Sequence, residues 1–484
     1  MEMKSRKKGR PIILIICFIV VAAAAFFGIQ FFTKTGIFKI PGVVYYAEDL
    51  KDDEKFKLEG AFTEELVLDK DVYISVSESD TKPEPAEGEF LVDIFVPVAD
   101  FYDVREDISE YEEGEYKYIS IDELDSKVKL LSVDGNYYLD EFDKGGIFRT
   151  IKFDSEKYDE EIKPLVSDLF SKDFPSKDSV LTFAQTGVTA LSRGMNAKLY
   201  QVGDAEYFAE GISDYLSGFD LTHTSNESSF TDYANSENIC SDKRFINTLL
   251  AIGLDIVELT GNHNLDCGAT AALETLDTYK ANGIKTVGGG SDANDAAKPL
   301  QLNEKGSNIT FLAYNQSTGG ATLGDLPGAN QYYEENAIAE INAAKERGDF
   351  VIVDVQYYEC SAYASEYEDP ICDYPQNVPG DEIGFFRHLI DLGADLVVGT
   401  SAHQPQTFEL YGNGAIYYGL GNLFFDQAWW PGTTRSLILA HYFYNGKLLQ
   451  TKVVPTVYDK SLQTKPLDKE TSRWFLNRLI SIRP

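Results

Sequence analysis

Asn262, His263 and Asp266 are the residues whose types and spacing are best suited to chemistry. They lie in the run Leu259–Gly268, directly after Leu254–Glu258, which has the pattern of a short buried strand. An imidazole serves as acid, base or metal ligand, and an asparagine offers a neutral oxygen. A carboxylate three residues after the histidine is close enough to orient the ring. Ligands bind at strand ends in α/β sheets. The chain has five histidines in 484 residues, so a histidine in such a loop is informative. The same residues also suit an ordinary βα loop in which Asn262 and Asp266 cap the next helix.

The elements that would position this loop are legible around it. Strand patterns alternate with amphipathic helix patterns from about residue 179. Strands are expected at 179–184, 254–259, 284–287, 309–314, 350–355, 395–398 and 415–418. Ser241 is expected to cap a helix with Phe245, Leu249 and Ile252 on its apolar face, stopped at Gly253. A second helix should run to about Asn282 and bury Leu273, Leu276 and Tyr279. Further helices are expected at 333–347 and 382–392. This alternation predicts an α/β sandwich with sites at the carboxyl ends of strands. The Gly288–Gly290 run lacks the surroundings of a phosphate-binding loop and reads as a turn.

Other loops hold unusual polar residues: Gln185–Gly194, His223–Glu227, Gln356–Glu359 and Gly399–Gln406, with a sixth segment at Tyr417–Gln427. Arg193 follows a glycine-containing turn and is a candidate anion clamp. His388 on a helix and His441 in a strand read as structural.

Composition narrows the function. The formal charge is −35, from 78 acidic and 43 basic residues. Nucleic acid is an unsuitable partner, because tracking phosphates needs clustered Lys and Arg. Lys4, Arg6, Lys7, Lys8 and Arg10 precede an uncharged apolar run at 11–32. At about 1.5 Å per residue that run crosses a bilayer core of about 30 Å. The basic flank places residues 1–10 in the cytoplasm and the body outside, with a cleaved signal peptide as the competing reading. A stalk follows at 33–44, then an accessory α/β domain at 45–175, the main domain at 179–457 and a tail or helix at 458–484. Cys240, Cys267, Cys360 and Cys372 allow two disulfides in three pairings.

The order and spacing of these loops resemble the CapA family of bacterial capsule and poly-γ-glutamate proteins, within the calcineurin-like metallophosphatase fold group. The resemblance covers about 179–457. Gly261–Gly268 matches the family's Asn-Asn-His-x-x-Asp-Tyr-Gly motif, Gly393–Gly399 its Gly-Ala-Asp stretch, and Tyr418–Asp426 its Tyr-Ser-Leu-Gly-Asn run. It implies an α/β/β/α sandwich, and a membrane-tethered protein outside the cytoplasm. Departures are equally specific. The family's Gly-Asp becomes Gln185-Thr186, a motif histidine becomes Gln356 with Glu359 retained, and the first of two later histidines becomes Ser401, leaving His403. Losing a carboxylate and two imidazoles removes much of a two-metal site's donor strength. The resemblance then implies at most one divalent ion, held by Glu227, Asn262, Gln356 and His403, or no metal. His263, Asp266 and Arg193 are the candidate catalytic residues. Thr186, Glu359, Gln406 and Asn422 are the candidate substrate contacts. Two functions are expected: a hydrolase or transferase acting on an envelope polymer, or a non-catalytic subunit that binds polymer or assembles with a membrane synthase.

Overall fold

The computed structural model describes residues 44–63, 71–84, 86–156, 158–316, 319–322, 324–357, 381–428 and 431–484. The basic tail, the 11–32 run, most of the stalk, Glu359, Cys17, Cys360 and Cys372 lie outside the described residues. Among the described residues, no helix is long and apolar enough to cross a membrane. The fold is α/β, with helices and sheets alternating along the chain.

The chain forms two compact units. The described part of the first comprises 44–76, 86–90 and 151–171. Here strand Val44–Tyr45 pairs in parallel with Val72 and Tyr73. Leu58 of helix Asp52–Thr63 is buried, as are Ile162, Val166 and Phe170. Phe90, Phe153 and Phe170 pack on one another with ring centroids 5.9 Å apart.

The second unit holds 77–85, 91–150 and 172–484. Residues 91–150, expected in an accessory domain, therefore fold with the main body. The reason is a shared apolar cluster: Ile94, Val96, Val98 and Tyr138 pack with Val180, Ala440, Tyr442 and Leu449.

Two sheets build the body. The first runs Lys285–Val287, Ile256–Glu258, Leu221–Asn226, Val180–Thr189, Arg435–Tyr444, Lys447–Tyr458, Thr464–Pro466. The second runs Leu300–Glu304, Ser307–Asn315, Phe350–Gln356, Leu396–Gly399, Gly414–Tyr417, Phe408–Tyr411. The period-two alternation of strand side chains decides which face each residue serves. Phe183, Ile256, Phe311, Ile352 and Leu396 meet between the sheets. Their sequence neighbours Ala184 and Val257 pack instead with helices Gly194–Val202, Ile246–Ala251 and Gly268–Ala281. Leu312, Val353 and Val397 pack with helices Glu334–Glu346 and Glu382–Asp391. The inner strands are thus buried on both faces, which explains why these runs read as continuously apolar.

Local details depart from the sequence reading. Asp242, not Ser241, caps the helical segment that begins at Lys243, accepting from Arg244 N. Leu273 is 40% exposed, so the buried face of Gly268–Ala281 uses Ala271, Ala272, Thr275 and Tyr279. The segment His223–Glu227 is not a loop: Leu221–Asn226 is a fully buried strand. Likewise Gln185–Thr189 continues a strand, with one extra residue between Gln185 and Val188 relative to its neighbour. Gly187 sits in that irregularity because a Cβ there would meet Gly421 O at 2.0 Å.

Cys240 and Cys267 form a disulfide with Cα atoms 5.9 Å apart, closing a span of 27 residues. A loop of that length is expected to stabilise the fold by about 3 kcal/mol through the unfolded chain. Urea unfolding of the Cys240→Ser, Cys267→Ser double variant measures it. A loss well under 1 kcal/mol would show that the bridge constrains little.

Candidate functional site

The site assembles where Val180–Thr189, Leu221–Asn226, Ile256–Glu258 and Phe350–Gln356 reach their carboxyl ends. Glu227 follows the second of these strands directly and is fully buried. Gly261 approaches it so closely that a Cβ would meet Glu227 Cα at 2.8 Å. Asn262 is next in the chain, and its Oδ1 accepts from Gln356 Nε2 at 3.2 Å. His403 lies with its Nε2 3.9 Å from Glu227 Oε2. The four residues expected to hold an ion therefore share one place.

Asn422 fixes the tautomer of His403. Its Nδ2 donates to Gln427 Oε1 at 3.2 Å and to the Thr433 carbonyl at 3.0 Å. Its Oδ1 must then accept from His403 Nδ1, 2.9 Å away. Nε2 is on the side of the Glu227 carboxylate, 3.9 Å from Oε2. Asn422 thus acts behind His403, as outer partners of ligating histidines do.

Whether these residues suit a metal follows from the donors present. Among the described residues, no group of three or more His, Cys, Asp or Glu is placed to hold a metal ion. One ion has a carboxylate, an imidazole nitrogen and the amide oxygens of Asn262 and Gln356 within one cluster. Gln356 Oε1 is buried with no hydrogen-bond partner, so this donor is available.

His263 and Asp266 form the dyad anticipated from their spacing, with Nδ1 and Oδ2 2.8 Å apart. The ring is partly exposed, at 26% of its side chain. The capping alternative is not realised. Helix Gly268–Ala281 starts from Cys267 without a side-chain cap, and Asn262 and Asp266 are engaged elsewhere.

Arg193 requires correction as an anion clamp. Its Nη2 lies 2.5 Å from Asp426 Oδ1, and Asp426 Oδ2 also accepts from Gly194 N at 2.8 Å. The guanidinium lies over the Phe425 ring at 4.5 Å. The positive charge is spent on holding the Tyr418–Asp426 run against helix Gly194–Val202. Thr186 is buried and donates to the His223 carbonyl at 2.9 Å, so it braces the sheet. Gln406 is buried with Oε1 unbonded. Ser401 and Gln404 are buried beside it in sequence.

Below the site lies a polar layer in which Gln185 and His223, each at the start of a polar segment named above, meet Glu258 and Asp354, which spacing did not single out. Gln185 Nε2 donates to Asp354 Oδ1 at 2.6 Å, joining the two sheets. His223 Nε2 is 3.1 Å from Asp354 Oδ2, near but outside hydrogen-bonding alignment. Gln185, His223, Glu258 and Asp354 are all fully buried. Each stands two residues from an inward apolar residue: Phe183, Leu221, Ile256 and Ile352. Period two from those residues was the available signal.

Burial, reinforced by the Asp354 charge, pushes the Glu258 carboxyl up to about 7. Its unfolded value is near 4.5. The folded state therefore holds the extra proton between those values. Its stabilising effect is complete below pH 4.5 and lost as pH rises through 7, costing about 3 kcal/mol by pH 8. Glu258→Gln keeps an oxygen for Thr260 N and is expected to flatten the fall in Tm between pH 5 and 8. Equal slopes in both proteins would show that Glu258 is not the group. His441 sets an opposite but lower window. Burial and nearby His223 push it down to about 3, so the ring is neutral throughout this range.

Comparison with known proteins agrees with this arrangement. The chain is 25% identical over 281 residues to the capsule biosynthesis protein CapA of Bacillus anthracis, covering 54% of this chain and 65% of that protein. It is 25% identical over 277 residues to the PGA biosynthesis protein CapA of Bacillus subtilis (strain 168), covering 56% and 70%. A probable polyglutamine synthesis accessory protein of Mycobacterium tuberculosis is 28% identical over 191 residues, covering 37% and 47%. The chain thus spans just under two thirds of the first of these relatives. Residues 182–427 match the family model described as bacterial capsule synthesis protein PGA_cap, and that span holds the whole cluster from Gln185 to Gln427. This chain belongs to the PGA_cap family.

Proposed function

We propose that this protein serves the synthesis or processing of a capsule or poly-γ-glutamate polymer, on the outer side of a membrane that its 11–32 run enters. The body is read as a metallophosphatase-like α/β/β/α sandwich. Family membership supports the polymer class. The Cys240–Cys267 bridge supports an oxidising compartment.

The observation that carries a hydrolytic or transfer role is the His263–Asp266 dyad beside the Glu227, Asn262, Gln356 and His403 cluster. Asp266 holds Nδ1, which leaves Nε2 of a half-buried ring to move a proton to or from a polymer amide. Glu227, His403, Asn262 and Gln356 would hold one divalent ion. Such an ion, when bound, would polarise a carbonyl or phosphoryl oxygen.

The second reading is a polymer-holding or assembly subunit beside a membrane synthase. The Arg193–Asp426 pair and the donor-poor cluster favour it, since both remove charge that chemistry on an anion would use.

One assay separates the two. The full chain in detergent is incubated with γ-linked polyglutamate, with and without a divalent ion and a chelator. New amine ends and a shortened polymer support the hydrolase. Saturable binding with unchanged polymer and no ion dependence supports the subunit. Absence of both binding and cleavage overturns the polymer class.

A further inference from the structure

A second cavity, of about 500 Å³, lies within the larger unit, between the 101–140 segment and the strand Lys447–Tyr458 with helix Lys469–Ser481. A volume of this size suits a small organic ligand. One wall is apolar, formed by Phe101, Phe408, Leu476 and Ile480. Opposite chemistry comes from Lys129 and Lys452, both half-buried. A third lining lysine, Lys469, pairs with Glu110 at 2.8 Å.

Neither ammonium is satisfied by a carboxylate contact. Lys129 Nζ donates to the Asp103 carbonyl at 2.8 Å, which uses one of its three protons. Among the described residues, Lys452 Nζ makes no hydrogen bond or ion pair, and it lies 5.1 Å from the Tyr137 ring centroid. Of the five acids lining the cavity, three are engaged, and Glu106 and Asp134 add further negative charge. Asp103 binds Arg105, Asp107 accepts from Ser109, Ser132 and Gly135, and Asp140 accepts from Tyr442. Burial lowers the Lys129 ammonium to about 8, Glu106 and Asp103 oppose that shift, and Lys452 adds to it, so an anion between the two lysines would complete a compensation the carboxylates only begin.

We propose that this cavity binds a small organic carboxylate, its charge held between Lys129 and Lys452 and its carbon chain against Phe101, Phe408, Leu476 and Ile480. Inorganic phosphate offers no carbon for the apolar wall to cover, whereas a carboxylate on a carbon chain does. The site shares no residue with the His263 cluster and does not depend on the function proposed for it.

The test is calorimetric titration of the full chain with glutarate, with 1,5-diaminopentane as the cation of matched length. Glutarate is expected to bind and the diamine not. Lys129→Met and Lys452→Met should each weaken glutarate by roughly 10–100-fold, the range of a lost charge-assisted bond. His263→Ala should bind as the parent does. Lys447→Met, on the surface, controls for net charge. The proposal is overturned if glutarate does not bind, if the diamine binds in its place, or if both lysine variants bind as the parent does while unfolding normally.

Discussion

Replacing His263 with alanine is expected to lower polymer cleavage by roughly 10²–10⁴-fold, the usual contribution of a positioned acid or base. The fold should be nearly untouched. The ring is partly exposed, and its one described side-chain partner is Asp266, itself exposed. Loss of an exposed pair costs under about 1 kcal/mol. Asp266→Asn gives the finer reading. It keeps an acceptor for Nδ1, so the ring stays oriented and the activity loss should be smaller. The measurement is turnover against pH for the three proteins, with melting temperatures alongside. Full activity in His263→Ala would remove the dyad from the chemistry and leave the subunit reading.

Asp354→Ala should have the largest effect on stability, a loss of about 3–5 kcal/mol. The carboxylate is fully buried and joins the two sheets through Gln185. Without it, the buried Gln185 amide loses its acceptor beside His223, and each orphaned polar group costs about 1–3 kcal/mol. A paired change isolates the polar bridge. Both changes remove the charge that raises the Glu258 carboxyl, but only Asp354→Asn retains an acceptor for Gln185. It should therefore be milder at pH 8 than Asp354→Ala by a clear margin. Denaturant unfolding of both variants at that pH measures the difference. Similar losses would mean that packing, not the polar bridge, holds the sheets at this level.

Much of this site was legible in the sequence, for a physical reason. Strand-end loops carry their chemistry in consecutive residues, so His263 and Asp266 announce themselves by spacing. Glu227, Asn262, Gln356 and His403 were named individually and do converge. Their convergence rests on close approach, such as that of Gly261 to Glu227, which spacing does not reveal. Arg193 misled because its partner Asp426 is 233 residues away. The inter-sheet layer was missed because a lone Asp within Phe350–Gln356 or a lone His within Leu221–Asn226 looks like the polar end of a strand. Only the pairing of both sheets places them face to face. The grouping of 91–150 with the body was equally hidden, since it depends on the outward face of Arg435–Tyr444 far along the chain.

The position of Arg435–Tyr444 also constrains the order in which the molecule can come into being. This strand pairs with Val180–Thr189 on one side and Lys447–Tyr458 on the other, so it is interior to its sheet. During synthesis or export, Val180–Thr189 has one flank open until more than 240 further residues have emerged, since its partner begins at Arg435. An open interior edge is an aggregation hazard. Vectorial delivery would therefore hold the amino-terminal portion unfinished, and a chain stopped before Arg435 would lack the middle of a sheet and not merely its rim.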